Sequence, residues 1–175
     1  AYYWPVNSIE DVHEERRLSL LGRIVEERLR KRVREEFGAA YSVTTHFISI
    51  DGFPHQNYFT TYTDVEPTQA DQINRLIRSE ILSMRREGIT KDEFERSKQP
   101  FLARRKVDLR TNAYWGFTVL RDAQQRDDRL DSARDRSNDT AAIEHAEIQT
   151  LLERYFDLSA AFNFRTVPQQ FPANQ

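Results

Sequence analysis

Apolar residues recur at three- and four-residue steps from Leu18 through Leu21, Val25 and Leu29 to Val33, with charges such as Glu26, Glu27 and Arg30 between them. That spacing is an apolar stripe on a solvated helix. Asp11 or Ser8 can cap its start, and Gly38 is placed to end it in a left-handed conformation. Before it, Ala1 to Val6 reads as a strand stopped by Pro5 and the polar turn Asn7-Ser8. After it the period changes to two: Val43, Thr45 and Phe47 alternate with Thr44, His46 and Ile48, which predicts a strand within Tyr41 to Ile50. Asp51-Gly52-Phe53-Pro54 turns the chain, and the β-branched and aromatic run Tyr58 to Val65 predicts its antiparallel neighbour.

The second half reads as helical. Pro67 suits a first turn, and Ala70, Ile73, Ile77, Ile81 and Met84 mark a buried stripe that ends at Gly88. Thr90 and Glu93 form a capping-box signature that opens another helix near Lys91, with a kink expected at Pro100. A further helix begins near Asn112 and carries Tyr114, Trp115, Val119 and Leu120. The stretch from Gln124 to Thr140 is polar and weakly periodic, a surface segment with room for a short helix. A last helix covers Ile143 to Tyr155, and a strand from Ala160 to Val167 closes the chain. The order β-α-β-β-α-α-α-β predicts an α+β two-layer domain, a mainly antiparallel sheet with helices packed on one face.

Composition narrows the function. With 175 residues the chain suits a single domain with a core of its own. The balance of 26 basic and 28 acidic residues gives no net field to draw nucleic acid or anionic lipid. No apolar run approaches the roughly 20 residues of a membrane helix. There is no cysteine, hence no disulfide or thiolate site. His13, His46, His55 and His145 never stand at i, i+3 or i, i+4, and neither H-E-x-x-H nor H-x-x-E-H occurs, so no zinc site is expected in this chain. A G-x-S-x-G elbow and a phosphate loop are also missing. Tyr58, Phe59 and Tyr62 could stack bases, but their strands carry no lysine or arginine, which argues against nucleic acid.

One candidate remains. In Arg34-Glu35-Glu36-Phe37-Gly38-Ala39-Ala40-Tyr41 an arginine occupies the last helical turn, a glycine ends the helix, and a tyrosine opens the strand. A guanidinium and a phenol aimed at one spot can bind a peptide backbone or the charge that develops on it. The plainer reading pairs Arg34 with a carboxylate at the helix end, where the dipole favours a cation, and leaves Tyr41 as a strand aromatic.

The stretch RLRKRVREEFGAAYSV, Arg28 to Val43, resembles the R-E-x-x-G-x-x-Y-S helix-to-strand junction of the pitrilysin/insulinase family of inverted zinc metallopeptidases, which includes the mitochondrial processing peptidases. GITKDEFERSK, Gly88 to Lys98, is similar to that family's helix opening after Gly-Ile-Thr, and Asn112-Ala113-Tyr114-Trp115 is similar to an Asn-x-x-Trp stretch of bacterial members. The resemblance implies that residues 1–175 are a non-catalytic C-terminal domain excised from a longer chain. It also implies zinc held in another domain of the parent, and Arg34 and Tyr41 offered to the peptide substrate and its transition state. Expected partners are the other domains of the same polypeptide, or a zinc-bearing subunit, and the peptide, with neither nucleic acid nor membrane. Two alternatives stay open: a catalytically dead scaffold subunit of the same family, and a free-standing α+β module that binds peptide or RNA. Exported bacterial members make a periplasmic home compatible with the resemblance, although this sequence does not set the compartment.

Overall fold

The computed structural model describes every residue except 7, 8, 10, 39–41, 51, 52, 54, 122, 125–127 and 169–175. Strand β1 (Tyr2–Val6) leads to the long helix α1 (Val12–Phe37), then to strands β2 (Val43–Ile48) and β3 (Asn57–Thr63). Helices α2 (Ala70–Glu87) and α3 (Lys91–Asp108) follow. A single helical turn, α4 (Asn112–Tyr114), runs directly into a π-helical turn, Trp115–Val119. Helices α5 (Asp128–Ala142) and α6 (His145–Tyr155) and the short strand β4 (Phe162–Asn163) complete the described fold. The four strands form one antiparallel sheet in the order β2-β3-β1-β4, and the chain is α+β as expected.

Strand alternation decides which side of the sheet is covered. Tyr2, Trp4 and Val6 of β1, Phe59 and Thr61 of β3, and Val43 and Thr45 of β2 are buried on the helix-bearing face. Tyr3 and Pro5 alternate with them and are more exposed. The strand includes Pro5 and ends at Val6, as the reading of Ala1 to Val6 expects. Among the described residues β4 pairs with β1 at Tyr2 and Tyr3 alone, so Pro5 lies past that pairing, where a missing N–H breaks no ladder.

Helix α1 is the spine. Its start is capped by the Asp11 carboxylate, which accepts from the backbone N–H groups of His13 and Glu14. Leu18, Leu21, Val25, Leu29 and Val33 are all buried, and Leu20 and Ile24 widen the stripe. Gly22 explains the close seat of α1 on the sheet: a Cβ there would stand 3.2 Å from the backbone nitrogen of Phe47. Phe156 wedges between sheet and helices, its ring 4.9 Å from Trp4 and 4.7 Å from Phe59. Leucine-to-alanine changes at such sites cost about 2–5 kcal/mol.

The Thr90–Glu93 capping box is present, and α3 continues from Lys91 through Pro100 to Asp108. Two expectations change. The polar stretch near residues 124–140 contains a helix of 15 residues, with Ala133, Asp139 and Thr140 buried. The closing strand shrinks to two residues, because β4 meets β1 only at Tyr2 and Tyr3.

Candidate functional site

The end of α1 is where the sequence places the candidate pair. Val33 faces the core and Arg34, one residue on, faces solvent. The Gly38 N–H donates to the Arg34 carbonyl at 3.0 Å, and Gly38 has a φ of 84°, a conformation that side-chain-bearing residues rarely adopt. Its ψ of 179° makes the exit extended, not a continued left-handed turn. Tyr41 lies outside the described residues.

The cations around Arg34 are engaged. Arg28 holds Glu93 and donates to the Gly88 carbonyl at 3.1 Å, Arg30 meets Glu27 at 2.6 Å, and Lys31 lies 4.0 Å from Glu35. Arg32 bridges Glu80 at 2.8 Å and Glu35 at 3.1 Å. Among the described residues Arg34 makes no such ion pair, so the carboxylate partner of the plainer reading is not found there. Strand β2, which follows, is the end strand of the sheet. Its outer side is partly closed, since the Thr45 N–H donates to the Glu26 carboxylate at 3.3 Å.

A second charged assembly escaped the sequence reading. Asp139 of α5 is buried and receives Arg16 at 2.8 Å, His13 at 2.7 Å and Arg17 at 3.3 Å. Arg16 also donates to the Ser132 carbonyl at 2.5 Å, and Arg17 bridges to Glu147 of α6 at 2.8 Å. Burial pushes the Asp139 carboxyl up, but the hydrogen bonds and charges of Arg16 and His13 outweigh it and hold the group below the usual carboxylate range. One signal was present: Arg16 stands four residues before Leu20, in phase with the buried stripe. Its partner, 123 positions away, had no local mark.

The histidines take separate places. His13 joins that network, His145 Nε2 lies 2.6 Å from the Ile89 carbonyl, and exposed His46 stands 3.9 Å from Glu26. No group of three or more His, Cys, Asp or Glu converges as a metal site among the described residues. The aromatic trio also separates: Phe59 is 0% exposed whereas Tyr62 is 46% exposed, so Phe59 is a core residue and not a stacking platform.

The fold is thus an antiparallel sheet covered by helices, with Arg34 exposed at a helix exit and without an ion pair among the described residues. The profile of the peptidase M16 inactive domain matches residues 1–101, and the chain belongs to that family. It is an inactive peptidase domain, consistent with the resemblance to pitrilysin and insulinase. The Arg34 and Gly88 junctions fall within the matched span, whereas Asn112 to Trp115 lies past it. No curated protein matches. Among solved structures, the chain is similar to the inactive peptidase domain of a proposed zinc protease from Bordetella parapertussis, at 14% identity and a TM-score of 0.77, over 98% of this chain and 93% of that one. It is similar to the periplasmic protease PqqL of Escherichia coli at 17% identity and a TM-score of 0.69, over 90% of this chain and 17% of that chain. A protease from Helicobacter pylori gives 12% identity and a TM-score of 0.71, over 91% and 38%. This chain therefore spans well under half the length of those two proteases. At these identities the likenesses establish the fold alone.

Proposed function

We propose that the chain is the C-terminal inactive domain of a longer zinc metalloendopeptidase, where it completes the substrate chamber. Zinc would sit in another domain of the parent, since no described cluster here fits it. Arg34 would give its planar donors to a peptide carbonyl, and Tyr41 its hydroxyl to the oxyanion of the tetrahedral intermediate. The observation that carries this reading is Arg34 itself. It is exposed at a glycine-terminated helix exit and unpaired among the described residues, while Arg28, Arg30, Lys31 and Arg32 are each engaged. Addition of the peptide as a further strand on β2 is less favoured, because Glu26 already occupies the Thr45 donor.

The test is Tyr41→Phe in the complete protein. Loss of one oxyanion donor lowers kcat by about 100- to 1000-fold, and zinc content should stay unchanged. Undiminished turnover would remove the tyrosine from the mechanism. A parent and partner both devoid of H-x-x-E-H would instead favour the scaffold reading.

A further inference from the structure

A pocket remote from Arg34 concentrates like charge. It lies where α1, α3, the turn Trp115–Val119 and α5 meet, and is an open-sided cavity of about 110 Å³. Arg16, Arg105, Arg129 and Arg136 line it, together with Tyr114 and one carboxylate, Glu15.

The four guanidiniums are held in different ways. Arg16 is committed to Asp139 and the Ser132 carbonyl, and Arg129 donates to the Thr118 carbonyl at 3.0 Å. Arg105 stacks on Phe101 at 4.3 Å and reaches Asp108 at 3.2 Å, but Asp108 is shared with Arg104 at 2.9 Å. The buried Nε of Arg105 has no hydrogen-bond partner among the described residues. Arg136 lies 4.7 Å over the Tyr114 ring and makes no ion pair among the described residues. Stacking fixes the direction of both side chains while leaving in-plane donors uncommitted.

We propose that this pocket binds a small free oxyanion of the phosphate class, clasped by Arg105 and Arg136 and walled by Arg16 and Arg129. Its volume accommodates one tetrahedral ion in place of several waters, a single water needing only about 10–15 Å³ on the same measure. Electrostatics points the same way. Burial and then the nearby Arg136 charge lower the Arg105 pKa to about 10, so an anion between them would relieve both costs. The site would join α3 to α5 by ion bridging instead of apolar contact, a stabilising role independent of the peptide chemistry at Arg34.

Isothermal titration of the 175-residue chain with inorganic phosphate, at constant ionic strength against chloride, tests it. The expected result is saturable one-to-one binding, weakened about tenfold or more in Arg136→Gln, the loss expected for a charged hydrogen bond. Arg134→Gln, on the same helix but paired with Asp131 at the surface, should bind as the parent chain does. Should Arg136→Gln fail to fold, Arg105→Lys keeps the charge but loses the planar fork, and should show the same weakening. Heat that does not saturate, binding matched by chloride, or equal affinity in variant and control would overturn the proposal.

Discussion

The two halves of the helical layer are held by different forces. From β1 to α3 the helices rest on apolar stripes: Leu18, Leu21, Val25 and Leu29 of α1 and Ile73, Ile77 and Ile81 of α2 join one core with Trp4, Phe59 and Phe156. The region from Leu109 to α5 has only a small cluster of its own, in which Tyr114, Val119 and Ala133 are the buried members. It is fastened to α1 by Asp139 and to α3 by Lys98, whose ammonium donates to the Ala141 carbonyl at 2.7 Å. Apolar burial is non-directional and tolerates repacking, whereas a buried ion pair fails as a unit when one partner is removed. The apolar core resumes beyond that region, where Ile148, Leu151 and Leu152 of α6 join Trp4, Phe59 and Phe156.

Breaking the ionic clamp should have the largest effect. Asp139→Ala leaves Arg16 buried without its counter-charge, which typically costs about 3–5 kcal/mol. Hydrogen exchange should show protection lost first in α5, with α1 retained. Leu21→Ala, at about 2–5 kcal/mol, should instead lower protection in the sheet and α1 together. Uniform loss in both variants would erase the contrast between the regions.

Acid sharpens the same contrast more gently. The folded-state pKa of Asp139 lies below its unfolded value of 3.8, so its stabilisation is complete above that value and is lost as pH falls through the folded pKa. Protection of α5 should therefore decline below about pH 4, ahead of α1. In Asp139→Asn that pH dependence should flatten, and a matching decline in the variant would assign the effect to other carboxylates.

How much of this was readable depends on where each partner sits in the chain. Helix α1 announced itself because Leu18 to Val33 repeat within one segment, and the Thr90–Glu93 box because its members stand three residues apart. Strand β3 was visible from its own β-branched residues. Helix α5 was not, since its burial depends on Arg16 and Arg17, more than a hundred positions earlier, and its own sequence is almost wholly polar. The reach of β4 also eluded a local reading, because β1 sets it through Tyr2 and Tyr3. Which of Tyr58, Phe59 and Tyr62 is buried was not readable for a related reason: the alternation gives two faces, and only the helices determine which is covered. For the candidate site, the helix exit and the positive φ of Gly38 were legible, whereas its extended ψ was not; Tyr41 lies outside the described residues.

A double-mutant cycle on the complete protein asks most directly whether Arg34 and Tyr41 serve one transition state. Arg34→Ala, Tyr41→Phe and the combined variant would be compared in kcat/KM at constant zinc content. Residues that act as one unit are strongly non-additive, so the combined loss should scarcely exceed that of the worse single change. Losses that multiply, or three variants as active as the parent, would contradict a shared role at the scissile bond.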